Sequence, residues 1–387
     1  MIELMVSVVI SMLLLAAVST VYLSSKQTFS TSNNVARVQE NSRFALYFID
    51  QDLRMAGYSG CTRSIGSVLN TTAAGYDANF YDPSQVVGGW EFNGTAPSEV
   101  YTLNTLNPAS VSAGSWSGLT TGSALAADFT GRNLVPGSDV LIIKRANTLL
   151  PVKSTGTIPL NASTFAVDDA RALDGGGEPV PPIPQFSLLV ASNCQQADLF
   201  QNTVDTDSNP TLNPKPVSRT TGSGVPGNLD PTVKPFGTSN PLSPLSPSYD
   251  SATEIYAFTS HAYYVATGVS GGPSLFRLSF SNGQPGAGEE QELVEGVENM
   301  QVLYGEDTDA DEVANKYIAA DDVTDPAAVV SVRVGLLMRA TTQNEDFIDE
   351  STKQFFVADN IEIKPVVDAN HLRYIARSTV QLRNLGL

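Results

Sequence analysis

The first 23 positions of the chain are almost entirely apolar, and Glu3 is the only charged residue among them. This run matches the ~20 residues that a membrane-spanning helix requires. A cleaved signal peptide instead begins with basic residues and carries a shorter apolar run of ~7–15 residues. Since the first base is Lys26, we interpret residues 1–23 as an uncleaved membrane anchor.

Between residues 24 and 57 the pattern changes from apolar on all sides to apolar on one face. Val38, Ala45, Ile49 and Leu53 recur at spacings of seven and four, which is typical of an amphipathic helix. No proline precedes Gly57, a natural helix cap, so we predict one helix of about 84 Å at ~1.5 Å per residue. Its second half should pack on protein, with a polar side made of Gln39, Glu40, Arg43, Asp50, Gln51 and Arg54.

The chain after the helix has the composition of strands and loops. Runs rich in β-branched and aromatic residues are bounded by Gly, Pro, Asn and Ser, which favours strands. We predict an α+β protein in which the long N-terminal helix is followed by a β-rich domain, residues 58–387, of mainly antiparallel strands. The predicted strands include residues 139–146, 185–192, 253–267 and 274–281.

Alternation of apolar and polar residues is clearest near the end of the chain. There it predicts two half-buried strands, each with arginines on the face opposite its apolar residues. The first strand places Val332, Val334, Leu336 and Met338 on one face and Arg333 and Arg339 on the other. The second places Leu372, Tyr374, Ala376, Val380 and Leu382 on one face and Arg373, Arg377 and Arg383 on the other.

Two segments carry no clear element pattern. Residues 66–134 are rich in Gly, Ser, Thr and Asn, and residues 207–249 are rich in proline, which predicts a long loop. Structureless loops longer than ~12–15 residues are unusual inside a domain and are often functional or disordered. The proline-rich segment is therefore either a solvated surface excursion or a variable contact surface.

The composition describes an acidic but folded protein. The formal charge is −18, yet only 16% of the residues are charged, so the chain lacks the charge density of disordered sequences. A broad nucleic-acid surface is not expected, because it needs clustered lysines and arginines. Much of the negative charge lies in residues 284–325, which hold many acids and one base, Lys316.

The sequence contains no recognisable enzyme machinery. GxSxG, HExxH and Walker A patterns are absent, and the two histidines, His261 and His371, both lie in strand-like runs. A lone imidazole in such a run is more often packed than catalytic. We therefore predict that the protein is not an enzyme.

The start of the chain, Ile2-Glu3-Leu4-Met5-Val6-Ser7 followed by the apolar run, resembles the class III signal segment of type IV pilins and type II secretion pseudopilins. In that family a prepilin peptidase cuts the precursor, and the new N-terminus is methylated. The family's glutamate, here Glu3, pairs with the terminal amine of a neighbouring subunit. The family's leader, its glycine and the Phe-Thr pair are absent from this sequence. Either the sequence begins inside the motif or processing differs, so cleavage and methylation are not placed on this numbering.

Five further blocks narrow the resemblance to the PilW-like minor pilins. This resemblance implies a minor pilin in the priming and tip complex of a type IV pilus, with other minor pilins and the major pilin as partners. It implies an inner-membrane anchor with a periplasmic domain that later reaches the pilus at the cell surface. The alternatives are a type II secretion pseudopilin and a membrane-anchored periplasmic binding or adhesion protein. The blocks are residues 43–61, 192–200, 293–305, 332–339 and 379–384.

Cys61 and Cys194 are the only cysteines, too few for a disulfide scaffold or, by themselves, for a structural zinc site. The membrane anchor would place the domain in the periplasm, where disulfides form and persist. We therefore predict a Cys61–Cys194 disulfide, with two free, buried thiols as the alternative.

Residues 307–315 carry aspartates at alternate positions, a spacing that suits a hard cation such as Ca²⁺. Related minor pilins often carry an Asp-x-Asp-x-Asp loop at this place. The segment departs from an EF-hand, because Glu312 stands where glycine belongs and Ile318 where a glutamate belongs. The alternatives are a calcium loop and a solvated acidic turn. The candidate ligands are Asp307, Asp309, Asp311, the Val313 carbonyl and Asn315.

Overall fold

The computed structural model describes most of the chain, and for residues 148–153 and 169 it describes the backbone alone. The described residues are 2–60, 62, 65–108, 111–119, 123–169, 183–205, 215–222, 224–234, 236, 249–250, 253–280, 289–342, 353–367 and 370–384.

Helix α1 spans Ile2–Met55 without a break, about 81 Å at ~1.5 Å per residue, which confirms the prediction of one continuous helix. The chain leaves it through Gly57, whose φ of +73° lies in the left-handed region that ends many helices. A Cβ atom there would lie 2.4 Å from Val86 Cγ1 and 2.8 Å from the Asn384 carbonyl oxygen. Glycine therefore permits both the turn and the close packing at this end of α1.

The rest of the described chain is built mainly of short strands. A second, four-residue helix, α2 (Ala78–Tyr81), lies between the first two of them, and single 3-10 turns lie at Ala113–Ser115, Ala127–Phe129, Ala320–Asp322 and Pro326–Ala328. The strands are β1 (Gly66–Ser67), β2 (Val87–Phe92), β3 (Val100–Leu103), β4 (Trp116–Gly118), β5 (Val140–Ser154), β6 (Thr164–Asp169), β7 (Leu188–Ser192), β8 (Ala197–Gln201), β9 (Lys215–Ser218), β10 (Glu254–Thr267), β11 (Pro273–Phe280), β12 (Glu289–Glu295), β13 (Val297–Glu306), β14 (Lys316–Ile318), β15 (Val329–Arg339), β16 (Phe355–Ala358), β17 (Ile361–Pro365) and β18 (Arg373–Gln381).

The described strands form three sheets. The largest runs β1-β8-β7-β10-β5-β2-β4, and β11 with β12 and β6 with β9 extend it from β10 and β5. The second sheet runs β14-β13-β15-β18, and the third runs β16-β17-β3. Every described strand pair is antiparallel except β1–β8 and β3–β17. The structure therefore confirms an α+β fold with a long N-terminal helix and a mainly antiparallel β-rich region.

The second sheet is covered on both faces. Val332, Val334, Leu336 and Met338 of β15 lie in one core with the buried face of α1, while Leu337 lies in another core with β16 and β17. The prediction of a half-buried β15 was therefore wrong, because the third sheet covers its second face. Arg373 is likewise buried in an ion pair with Glu298, whereas Tyr374 is exposed.

The segments without a clear pattern contain real structure. Within 66–134, Trp90 lies against Phe80 and Phe129, and Trp116 lies edge-on to Phe92. The scattered aromatic residues of this segment thus form part of a core beneath the first sheet.

The proline-rich segment 207–249 is not described throughout, but it contains β9 and the buried Arg219. Arg219 donates hydrogen bonds to the carbonyls of Leu160, Ala162 and Lys234, and its guanidinium stacks on Phe236. The prediction of a structureless loop was wrong for residues 215–219. In the rest of the proline-rich segment, residues 207–214 and 237–248 lie outside the described residues.

Candidate assembly surface

The N-terminal half of α1 extends away from the domain. Residues 2–30 are exposed, Glu3 among them in the first helical turn, and this stretch is long and apolar enough to cross a membrane. Apolar surface of this size is stable in water only when lipid or other protein covers it. The exposed half of α1 must therefore be covered by lipid or by other protein.

The second half of α1 packs on the domain along one face. Its buried residues recur every three or four positions, which confirms the amphipathic pattern of Val38, Ala45, Ile49 and Leu53. Polar residues also lie on this face, among them Asn34, whose Oδ1 accepts a hydrogen bond from Thr342 Oγ1 at 2.9 Å. The complete buried set is Asn34, Val38, Ser42, Ala45, Ile49, Asp52 and Leu53.

Asp52 is the charged residue that joins α1 to the first sheet. Its Oδ1 accepts hydrogen bonds from Arg145 Nη2 at 3.0 Å and Nε at 3.2 Å. Its Oδ2 lies 2.5 Å from His261 Nδ1 and accepts a 2.6 Å bond from the Tyr263 hydroxyl. Burial raises the pKa of Asp52, but the hydrogen bonds of His261 and Tyr263 and the charges of His261 and Arg145 outweigh it and lower the pKa to about 2. Asp52 is therefore held as an anion by groups on β5 and β10.

The sequence analysis did not identify Asp52 as a buried charged residue, although its position in the helical repeat indicates burial. Asp52 lies seven residues after Ala45, so the helical repeat places it on the buried face. Asp50, predicted on the polar side, is half-buried instead, because its Oδ2 accepts a 2.9 Å hydrogen bond from Ser378 on β18. Burial raises the pKa of Asp50.

The acidic loop after β13 brings three predicted ligands together. Carboxylate oxygens of Asp307, Asp309 and Asp311 lie within 4.8 Å of one another. Asp307 is buried and accepts backbone N–H bonds from residues 309, 310 and 312, which closes the loop tightly. Glu312 has a φ of +65°, so it adopts the left-handed conformation that glycine has at that place in an EF-hand.

The other two predicted ligands are placed differently. The Asn315 side-chain oxygen accepts hydrogen bonds from the backbone N–H of Thr308 at 2.6 Å and from its hydroxyl at 3.0 Å. Val313 follows on the exposed side of the loop and donates its N–H to Asp311 Oδ1. The donor set of three carboxylates suits a calcium ion, whereas Asn315 already serves the loop itself.

The cysteines and histidines occupy separate places. Cys61 lies outside the described residues, and Cys194 lies in the tight turn between β7 and β8, so their disulfide stays a prediction. His261 contacts Asp52, and His371 Nδ1 lies 2.6 Å from the Ala340 carbonyl oxygen. Both histidines are therefore packed in the way their strand-like surroundings predict.

The chain combines a helix of membrane-spanning length with a strand-rich domain that packs on the second half of that helix. This combination defines its class of protein. Residues 262–384, which include β11 to β18, match the family model of Type IV Pilus-assembly protein W, PilW. The last third of the chain is therefore similar to PilW, a protein of type IV pilus assembly.

The chain matches no curated protein. Among solved structures, the chain is similar to a type IV-like pilin from Thermus thermophilus, at 18% identity over 34% of this chain and 70% of that chain, with a TM-score of 0.22. A likeness at this TM-score does not define a shared fold.

Proposed function

We propose that this protein is a minor pilin that enters the priming and tip complex of a type IV pilus through α1. The observation that carries the proposal is the exposed, membrane-length half of α1 in a chain whose last third matches PilW. A protein that used α1 only as an anchor would need only the membrane-spanning half of the helix. Here the same helix continues without a break into the domain core. Because the connection is rigid, the domain would move together with the helix when the helix passes from lipid to its protein partners.

The proposed mechanism begins with the helix in the inner membrane and the domain in the periplasm. Assembly then moves the apolar half of α1 from lipid into a bundle of pilin helices, where neighbouring apolar faces replace the lipid. Glu3 sets the axial position of the subunit, since a carboxylate in apolar surroundings is stable only where a cation meets it. The partners in this proposal are other minor pilins and the major pilin.

Replacing Glu3 tests the proposed role of α1. We expect Glu3→Ala to leave the domain folded and membrane-inserted but to lower its recovery in sheared pili at least tenfold, because the register-setting charge is lost. Glu3→Asp keeps the charge and should retain part of the incorporation. The measurement is immunoblotting of pilus and membrane fractions from cells that express each variant.

A matched control is Arg37→Ala, which removes an exposed charge from the same helix outside the membrane-length half. Pilus fractions that contain the Glu3→Ala protein at the unaltered level would contradict the proposal. Crosslinks from α1 to secretion components, and none to pilins, would instead support a pseudopilin.

We also propose that the loop of Asp307, Asp309 and Asp311 binds calcium when the domain reaches the calcium-containing exterior. The exposed position of the loop and its three converging carboxylates support this proposal. Extracellular calcium sites typically have dissociation constants of ~10⁻⁴–10⁻³ M. At ~50 times such a constant, binding would stabilise the folded chain by about 2 kcal/mol.

Calcium titration of the detergent-solubilised full chain tests this site. We expect binding heat and a higher Tm with calcium, both lost in the double variant Asp309→Asn/Asp311→Asn. Asp322→Asn, which removes an exposed acid from the same acidic stretch, should keep both effects. Equal heats for the double variant and the unaltered chain, or no heat for either, would refute the site.

A further inference from the structure

The domain half of α1 lies between two sheet edges. Asp50 contacts Ser378 of β18, whereas Asp52 contacts Arg145 and Tyr263 of the first sheet. Residues two apart on a helix point ~200° apart, so these partners lie on opposite flanks of α1. About three turns before Asp52 and in nearly the same direction, Asn41 Nδ2 donates to the carbonyl of Glu295 in β12. Thus β18 follows one flank of α1, and β12 reaches the other.

The strand β18 presents an open hydrogen-bonding edge. In the described part of the chain it pairs with β15 alone. The carbonyl of Leu372 accepts from the N–H of Ala340, and the N–H of Leu382 donates to Val330, so the even-numbered residues bond to β15. The odd-numbered residues between 373 and 381 therefore direct their backbone groups to the open edge. Such an edge is a template for a further strand.

A groove of about 750 Å³ runs between this edge and α1. Arg43 and Glu40 line it from the helix and Arg377 from the strand. The Arg377 guanidinium donates to the carbonyls of Val357 and Phe356, so it is already engaged within the chain. Tyr374 also lines the groove and is 43% exposed. The groove therefore combines an open strand edge, an exposed aromatic ring and the guanidinium group of Arg43.

The strand β12 has the complementary character. It pairs with β11 alone in the described part of the chain, and it carries four glutamates and no base. Its first three residues are exposed, as is Glu295 at its end. Glu290 already pairs with Arg132, which leaves Glu289 and Glu295 as exposed acids at the two ends of the strand. Two β12 strands would repel each other, whereas β12 beside β18 sets carboxylates against the guanidinium group of Arg43.

We propose that the open edge of β18, with its groove, pairs with β12 of a second copy of this chain. Because the two edges flank α1 on opposite sides, subunits with parallel helices would meet edge to edge. The contact joins two different surfaces, so it is head-to-tail, the type of contact that builds helical assemblies. This inference rests on the proposed assembly through α1, which supplies the parallel helices.

Photo-crosslinking of the full-length protein in cells tests the pairing. With p-benzoylphenylalanine in place of Tyr374, we expect a crosslinked dimer whose second peptide contains residues 289–295 of another copy. The same label in place of Val233, which is exposed and distant from both edges in sequence, should give no such dimer. Differently tagged copies distinguish a link between two chains from one within a chain.

Charge reversal gives a second, independent readout. Arg43→Glu or Glu289→Lys should each lower the dimer yield at least fivefold, and mixing labelled Arg43→Glu copies with Glu289→Lys copies should restore it. Arg37→Glu makes the same charge change on a different face of α1 and should have no effect, because residues six apart point ~240° apart. Rescue by the swapped pair is a result that a folding defect would not produce.

Several outcomes would overturn the pairing. They are a link from Tyr374 to residues 343–352 of the same chain, a link to a different pilin alone, no dimer, and a dimer that charge reversal does not change. The proposed function is tested separately, by the presence of the unaltered chain in pilus fractions. A chain present in pili without this crosslink refutes the pairing alone, whereas a chain absent from pili refutes the proposed function.

Discussion

Asp52→Ala is expected to lower the free energy of unfolding by about 3 kcal/mol, because it leaves partners buried without their shared acceptor. Arg145, His261 and Tyr263 all direct polar atoms at this carboxylate. The measurement is urea denaturation of the full chain in detergent, in which circular dichroism monitors the loss of strand structure. Gln51→Ala, an exposed change one residue away, should cost less than ~0.5 kcal/mol.

The pH dependence of this effect has a definite sign. The pKa of Asp52 falls from its ordinary value of 3.8 to about 2, so the folded state binds fewer protons than the unfolded state in this range. The resulting stabilisation, about 2 kcal/mol, is complete above about pH 5, where the unfolded state has also lost this proton, and is lost as the pH falls towards 2. The stability difference between the unaltered chain and Asp52→Asn should therefore shrink by about this amount between about pH 5 and pH 2. A difference that stays constant across this interval would contradict the assignment.

The proposed assembly through α1 gives this position a second test. In that proposal, pulling on α1 would load the contacts that join helix and domain, and Asp52 is a charged contact with the first sheet. A variant without it would still present Glu3 and the apolar half of α1. Loss of pilus incorporation in Asp52→Ala, with normal membrane insertion, would therefore indicate that the helix and the domain must move as one body.

The elements with a strong repeat were predictable from the sequence. The helix follows from the apolar run and the repeat of Val38, Ala45, Ile49 and Leu53, and β10, β11 and β15 follow from β-branched and aromatic runs. Each of these signals is local, because periodicity indicates the element and its apolar face. It does not show what covers the other face, which is why the burial of β15 on both faces was missed. Glu3 stands out in the sequence as the only charge of the apolar run, and its proposed role comes from the resemblance to pilins. The three loop aspartates stand out by their spacing, and the structure brings their carboxylates together.

The buried charges were not predictable in the same way. Lys144 lies in a predicted strand, yet only the fold shows that α2 covers it and that its Nζ donates to the Ala78 carbonyl. Burial lowers the pKa of Lys144 to about 7. Similarly, burial and the neighbouring Asp139 raise the pKa of Glu91 well above its usual range. These environments depend on residues distant in sequence, which periodicity does not reveal.

Glu298 and Arg373 form the most deeply buried ion pair described in this fold. Both side chains are fully buried, and the guanidinium binds the carboxylate through two bonds, Nε to Oε2 at 2.6 Å and Nη2 to Oε1 at 2.8 Å. Arg373 also donates to the Val367 carbonyl, and Arg339 lies 3.9 Å from Glu298 Oε1. The pair thus connects β13 and β18 across β15.

Removing one member of this pair should have the largest effect on stability. We expect Arg373→Met to lower the free energy of unfolding by about 3–5 kcal/mol, because Glu298 loses its two-bond partner in a site closed to water. Arg383→Met, an exposed change just beyond the same strand, should cost less than ~0.5 kcal/mol. In the double variant Glu298→Gln/Arg373→Met no ionised carboxylate remains, so it should recover ~1–2 kcal/mol relative to Arg373→Met. Denaturation curves that show simple additivity of the two changes would mean that the buried charge of Glu298 is not what makes the loss of Arg373 costly.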